Sequence, residues 1–365
     1  MGSQLVMSEL KMGENSTKVS IIVACRNEGG HIRAFLNSLL AQEMSGISWE
    51  AIIADGMSDD GTRRVLDEFH SRYPELIVLD NPGRIVSTGL NAAIRAARGE
   101  VVIRMDGHTC YAPDYCRRSL ETLERTGAHN VGGPARTQAV GRWAGAIAGA
   151  YHSRFSTGGA KFHDENYEGW VDTVPYGCWH KSTLLSVGLF DETLVRNQDD
   201  ELNLRITRAG GSIWQSPAIV SWYSPRTTLS SLFRQYFQYG FWKVAVIRKH
   251  QLPGSWRHIV PIGFVLANIV LLAGMIISEF AGAVPWFTVT AFAWLVMISI
   301  YALATITASV LVGRKRGWAT FPYLPGIFAA YHFAYGLGFL VGMCRNFSRT
   351  APQYYSHPMF TRINR

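Results

Sequence analysis

From about Lys18 to Val220, short β-branched runs alternate with longer amphipathic stretches, the pattern of strand and helix units that build a mostly parallel sheet. Residues 19–24 (VSIIVA) read as a first buried strand, 31–42 as its helix and 50–55 (EAIIAD) as the second strand. A helix over 62–73, a strand over 76–79, a helix over 89–97 and a strand over 101–106 continue the period. Past His258 the pattern changes. Residues 259–277 and 286–312 are unbroken apolar stretches long enough to cross a layer of about 30 Å. A third stretch, 321–344, is apolar but holds two prolines, His332 and several glycines, so it either spans or dips in and returns. Between the halves, residues 229–250 interleave aromatic and aliphatic side chains with Arg234, Lys243, Arg248 and Lys249. This predicts an interfacial helix with its cations toward anionic lipid.

The expected organisation is a flexible N-terminal segment (1–17), an α/β domain (18–228), an amphipathic interfacial segment (229–258), a membrane region with two or three transmembrane segments (259–344) and a basic tail (345–365). Composition agrees with a chain partly in lipid. Of 365 residues, 48% are hydrophobic and only 17% charged, a charge deficit larger than a wholly soluble protein normally shows. The formal charge of +8 suits an anionic membrane surface, a nucleotide-like anion or nucleic acid, and the position of the cations narrows these. They cluster at the membrane flanks, with no long basic stripe, which argues against nucleic acid as a partner. Arg248, Lys249 and Arg257 precede the first span and Arg314, Lys315 and Arg316 follow the second, placing both flanks and the α/β domain in the cytoplasm of a multi-pass inner (plasma) membrane protein. The polar first residues carry no apolar leader core, in keeping with that side. The five cysteines show neither CxxC pairing nor regular spacing, so a zinc cage or disulfide framework is not indicated.

Candidate chemistry lies in three acidic blocks: Asp55 in ADGMSDDGT, Asp106 in RMDGHT, and Asp199 with Asp200 in RNQDDELNLR. Asp55 and Asp106 end strands, where open α/β sheets bind ligands. Each block alone is more often a turn or a helix cap; their order suggests convergence on one cleft.

The blocks VSIIVACRNE, ADGMSDDGT, NPGRIVSTGLNAAIRAARGEVVIRMDGH and NQDDELNLR resemble, in that order over roughly residues 18–250, the family-2 inverting glycosyltransferases. The membrane tail with RQYFQYGFWK and HFAYGLGFL is similar to membrane-anchored glucosyltransferases of succinoglycan-type exopolysaccharide assembly. The resemblance implies an α/β nucleotide-diphosphosugar transferase domain of the glycosyltransferase A type followed by transmembrane helices. It implies that Asp55 receives the uracil or ribose of a UDP-sugar, flanked by the backbone from Ala24 to Glu28, which is carried over with Asp106 as part of the donor site.

Where the family has Asp-x-Asp, this chain has Asp106, Gly107 and His108. A carboxylate and an imidazole still make a metal pair, with the donor diphosphate supplying further oxygens, and nitrogen ligation favours Mn²⁺ over Mg²⁺. In NQDDELNLR the spacing to Leu202 and Arg205 aligns Asp199 with the family's catalytic aspartate. Gln198 replaces the preceding glutamate, and Asp200 is the rival base. Trp179, His180 and Lys181 stand where the family often presents acceptor-binding residues, the tryptophan for a sugar face and the basic pair for a phosphate. The place of the processive Gln-x-x-Arg-Trp motif reads Gln235, Tyr236, Phe237, Gln238, Tyr239, which counts against a polymer synthase.

The expected activity is transfer of one sugar, glucose foremost, from a UDP-sugar to a polyprenyl-linked glycan or other lipid acceptor in exopolysaccharide or other surface-glycan biosynthesis. Other glycan-assembly proteins are compatible partners. Direct transfer to a polyprenyl phosphate or simple lipid, and a non-catalytic assembly subunit retaining the fold, are the rival readings.

Overall fold

The computed structural model describes residues 17–251 and 255–345. The expectations for the first sixteen residues and for the basic tail beyond Arg345 lie outside the described residues.

The alternation expected from the sequence is present as β1 (Val19–Cys25), α1 (Ile32–Leu40), β2 (Trp49–Asp55), α2 (Thr62–His70), β3 (Leu76–Asp80), α3 (Val86–Ala96) and β4 (Val101–Arg104). These strands pair in parallel in the order β3-β2-β1-β4, with Cys25 beside Asp55 and Asp55 beside Asp80. Their carboxyl ends therefore share one edge. The near-continuous apolar strands have both faces covered. Ile21, Val23, Ile53 and Ile103 pack into one core with Phe35, Leu36 and Leu66, while Ile22, Ile52 and Val102 pack into the other with Leu90 and Leu202. Neighbouring residues of one strand serve opposite layers because successive side chains point to opposite faces.

The chain continues through β5 (Thr109–Tyr111), α4 (Tyr115–Thr126), β6 (Asn130–Gly132), β7 (Arg136–Thr137), α5 (Arg142–Tyr151), α6 (Arg154–Thr157), β8 (Gly169–Trp170), β9 (Cys178–His180), α7 (Lys181–Ser186), α8 (Gln198–Arg208), β10 (Ile213–Gln215) and β11 (Ser221–Tyr223). Strands β9, β6, β10 and β8 extend the sheet beyond β4 to eight strands, and β5, β11 and β7 form a small separate sheet over the shared edge.

Three segments, Trp256–Phe280, Val284–Arg316 and Trp318–Met343, are long and apolar enough to cross a membrane. They contain α10 (Val260–Phe280), α11 (Val284–Arg316) and α12 (Leu324–Met343). The third stretch is a continuous helix rather than a re-entrant loop: Pro322 lies in the turn before α12 and Pro325 in its first turn, where a proline leaves the helical hydrogen bonds intact. Its 20 residues measure about 30 Å.

The long helix before them is α9 (Leu229–His250). Of the four cations noted in its sequence Arg234 is exposed, and the other three bond within the protein. Lys243 is buried and pairs with Asp200, Lys249 pairs with Asp191 and Glu201, and Arg248 donates to the carbonyls of Met343 and Arg345. The helix is packed along α12 at backbone contact: a Cβ on Gly240 would lie 2.0 Å from the Tyr335 carbonyl oxygen, and one on Gly338 2.0 Å from that of Phe237. Packing is continuous across residue 228. Ala146, Ile147 and Ala150 of α5 share a core with Leu232 of α9, Ala308 and Val312 of α11, and Ile327 and Phe328 of α12.

Candidate active site

A cleft of 1360 Å³ opens at the carboxyl edge of the sheet and runs without interruption to the helices α9, α10 and α12. Its sheet-side rim is made by the loops after β1 and β2, which are clamped to each other. Asn27, in left-handed conformation, donates from Nδ2 to Asp59 Oδ1 (2.8 Å) and accepts the Asp59 amide (3.0 Å). Glu28 and Gly29 donate their amides to Thr62 Oγ1 and Asp60 Oδ2, both at 2.8 Å. Asn27, Glu28, Asp59, Asn81 and Arg84 face the cleft.

Asp55 does not. Its carboxylate is sealed beneath this rim, accepting the Ser58 hydroxyl at 2.5 Å and lying 3.8 Å from Arg63. Here the strand-end aspartate closes its own turn, a common use of Asp in an Asp-Gly setting.

At the floor, Arg104, Asp106 and Asp199 form one chain of charge. Arg104 ends β4 and Asp106 follows two residues later, so both point to the same side. The Arg104 guanidinium, 3% exposed, bonds Asp106 Oδ1 from Nε at 3.1 Å and pairs through Nη1 with Asp199. The Tyr176 ring, at a left-handed position, lies 5.9 Å from the guanidinium. Burial opposes the Arg104 charge, but Asp106 and Asp199 outweigh it and hold the guanidinium firmly protonated.

Asp199 and Asp200 open α8, whose first turn also holds Glu201. They are adjacent in sequence and opposite in state. Burial, with Asp106 and Asp200 adding repulsion against the pull of Arg104, raises the Asp199 carboxyl above the usual carboxylate range. Burial also pushes Asp200 up, but the Lys243 ammonium, with His258 and Arg257 behind it, takes it below that range. Asp199 therefore has the stronger proton affinity, the property a general base needs.

His108 reaches the same floor from the turn after β4. Its Nδ1 meets Glu28 Oε1 at 3.1 Å, which leaves Nε2 for another partner. A carboxylate on the far nitrogen is how ligating histidines are usually oriented. Asp106 and His108 both line the cleft. Among the described residues no three His, Cys, Asp or Glu side chains converge to hold a cation alone. The pair fits a hard cation whose shell is completed by phosphate oxygens.

The expected acceptor residues lie elsewhere. Trp179 is 1% exposed and packs against Phe190 in the sheet core, and Lys181 Nζ donates to the Ala97 carbonyl at 2.5 Å. His180 pairs in register with Val101, at the opposite end of β4 from Asp106. None of the three borders the cleft. The residues that do border it on that flank, Arg196, Tyr223, Arg226, Gln235, Tyr239 and Lys243, were not singled out from the sequence for binding. Arg104 had a signal, a cation two positions before a strand-end aspartate inside an apolar run. Lys243 had another, a single cation amid the apolar residues FW and VAVI.

The family model described as "Glycosyl transferase family 2" matches residues 20–180, which run from β1 to β9. The succinoglycan biosynthesis protein ExoA of Rhizobium meliloti (strain 1021) is 32% identical over 272 residues, 74% of this chain and 82% of that protein. The dolichyl N-acetyl-alpha-D-glucosaminyl phosphate 3-beta-D-2,3-diacetamido-2,3-dideoxy-beta-D-glucuronosyltransferase of Methanococcus voltae is 25% identical over 335 residues, 90% of this chain and 97% of that one. Among solved structures, the mannosyltransferase PcManGT from Pyrobaculum calidifontis, in complex with GDP-Man and Mn²⁺, shares the fold. It superposes with a TM-score of 0.56 at 18% identity, covering 90% of this chain and 88% of that one. The matched strands are the ones that carry the rim and the Arg104–Asp106 floor, and identity to one relative extends over three quarters of the chain; the protein belongs to glycosyltransferase family 2.

Proposed function

We propose that the chain is an inverting hexosyltransferase that moves one sugar, glucose foremost, from a UDP-sugar to a lipid-linked acceptor at the cytoplasmic face of the plasma membrane, in exopolysaccharide or other surface-glycan assembly. The observation that carries this reading is the single cleft that holds the Asp106–His108 pair and Asp199 and continues to the apolar helices. A donor on the sheet-side rim and an acceptor rising from the bilayer meet there without either leaving its medium. The names of the relatives support the same direction, one belonging to succinoglycan biosynthesis and one to transfer onto a dolichyl-linked sugar phosphate.

In the reaction, the acceptor hydroxyl oxygen attacks the anomeric carbon as the bond from that carbon to the diphosphate oxygen breaks. The nucleoside diphosphate leaves with the bonding pair, and the hydroxyl proton passes to the Asp199 carboxylate. Arg104 orients that carboxylate and keeps it ionised between turnovers. Lys243 holds Asp200 as a spectator anion, which raises the proton affinity of Asp199. Asp106 and His108 would hold a divalent cation, Mn²⁺ by their mixed oxygen and nitrogen character, which offsets charge on the departing diphosphate when bound.

The test is UDP release from a panel of UDP-sugars by purified protein, with Mn²⁺, Mg²⁺ or chelator, with lipid-linked sugar, polyprenyl phosphate or neither, and with Asp199→Asn as control. Release that requires metal and lipid and is lost in the variant is the expected result. Full release by Asp199→Asn removes the assignment of the base, and no binding of any UDP-sugar by folded protein removes the enzyme.

A further inference from the structure

The flank of the cleft that faces the membrane helices carries Arg196, Tyr223, Arg226, Gln235 and Tyr239. Arg196 stands immediately before Asn197, whose left-handed backbone opens α8, and runs its side chain into the cleft wall. It donates from Nε to Gln238 Oε1 of α9 at 3.0 Å. Among the described residues no carboxylate lies within ion-pair reach of it, whereas three other cations of the cleft are matched: Arg104 to Asp106 and Asp199, Lys243 to Asp200, Arg257 to Asp172. The groups that bear on Arg196 are the phenols of Tyr239 and Tyr223 and the guanidinium of Arg226, and burial leaves Arg196 less firmly protonated than an ordinary arginine. Gln235 accepts from Arg226 Nε at 3.3 Å and donates to the hydroxyls of Tyr223 (3.3 Å) and Tyr239 (3.0 Å), so both phenols keep their own protons to donate. A guanidinium withdrawn from water without a counter-charge is costly, and a fork of N–H groups beside two phenols matches phosphate oxygens.

The same cleft meets, through Phe155, Phe264 and Tyr301, an almost wholly apolar trough between α10 and α11 that Phe292, Val296 and Met297 also line. An occupant that satisfies both places has an anionic head and a long hydrocarbon tail.

We propose that Arg196 binds the phosphate or diphosphate that joins the acceptor's sugar to its lipid, and that the lipid chain leaves through the trough between α10 and α11. The proposal rests on the reading of the chain as a transferase to a lipid-linked acceptor. Asp199 is three positions further on, within the first turn of α8, so Arg196 and the base enter one cleft from the same short segment. The acceptor is therefore short, with its reacting hydroxyl on a sugar close to the phosphate. The donor diphosphate belongs on the other side of Arg104, beside Asp106 and His108.

Binding of farnesyl diphosphate to the full chain in detergent, measured by titration calorimetry beside inorganic pyrophosphate, farnesol and UDP, tests this. Farnesyl diphosphate is expected to bind at least tenfold more tightly than pyrophosphate or farnesol. Arg196→Gln is expected to weaken it about tenfold or more while UDP affinity stays within about twofold, which also reports a folded protein, and Arg196→Lys falls between. Val296→Trp, which fills the trough, weakens farnesyl diphosphate and not pyrophosphate. Unchanged farnesyl diphosphate affinity in Arg196→Gln overturns the proposal, as does loss of UDP instead, which would make Arg196 a donor residue. Pyrophosphate binding as tightly as farnesyl diphosphate marks a site for free anions, and farnesol binding as tightly marks a merely apolar one; either overturns it too. A failure of every UDP-sugar in the transfer assay, with these affinities intact, removes the transferase reading and leaves the site for an anionic lipid standing.

Discussion

Along the sheet-side rim the polar side chains direct their hydrogen bonds to one another. Asn27 and Asp59 bond reciprocally, Asp55 takes the Ser58 hydroxyl, and Asp60 takes the Thr62 hydroxyl at 2.6 Å. On the α9 flank, Arg196 bonds an amide and meets no carboxylate among the described residues, and Gln235 ties two tyrosines without using their protons. The first arrangement makes a rigid ledge whose shape exists before any ligand arrives; the second is complete only with an anion in place. In one cleft, a preorganised wall thus faces a ligand-completed one, and Arg104 with its two carboxylates divides them.

The largest effect expected from breaking this division is at its centre. Asp199→Asn should lower kcat about 10³-fold with donor affinity within about threefold, read by single-turnover kinetics and calorimetry. Its melting temperature at pH 7 should be no lower than that of the parent. The folded Asp199 pKa lies above the unfolded value, so this group removes stability as pH rises through that interval, and the amide does not. Asp200→Asn should act in the opposite manner, losing about 1–3 kcal/mol in chemical denaturation because it leaves the buried Lys243 ammonium without its partner, while retaining measurable turnover.

A smaller, sharper effect concerns pH. The base must be ionised, so kcat/KM should fall on the acid side at a pH above the ordinary aspartate range. Removing the Asp200 charge should move that limb to lower pH, and a limb that stays in place separates the two carboxylates electrostatically. The smallest effect is expected at Lys181→Ala, which touches neither wall and should leave KM for both substrates within about twofold. A rise in acceptor KM there would put the acceptor back on β9.

These expectations show what the sequence carries and what it hides. Strands β1 to β4 were legible because a parallel sheet covered on both faces writes itself as apolar runs bounded by polar turns. Asp106, His108, Asp199 and Asp200 were legible because they sit at element ends, and the structure brings all four to one cleft. Trp179, His180 and Lys181 misled because an aromatic beside two cations reads alike in a core strand and on a binding surface; only the antiparallel pairing of β9 with β4 decides which. Asp55 could not be placed by pattern for a related reason, since a strand-end carboxylate serves a ligand or its own turn equally well. Helix α9 was read by composition as amphipathic, whereas the partners of its lysines, Asp200, Asp191 and Glu201, lie some 40 to 60 residues upstream and are set by tertiary packing.

The backbone contacts of Gly240 and Gly338 have a practical side. The helix that supplies Lys243 and Gln238 to the cleft shares its surface with α12 so closely that there is no seam along which to part them. A version of the chain shortened to its sheet for work in water would lose one whole wall of the cleft, and with it the partner of Asp200. Such a fragment would retain the rim built by the loops after β1 and β2 and lack the wall built by α9. Purification, inhibitor screening and engineering of this enzyme accordingly begin in detergent or bilayer discs.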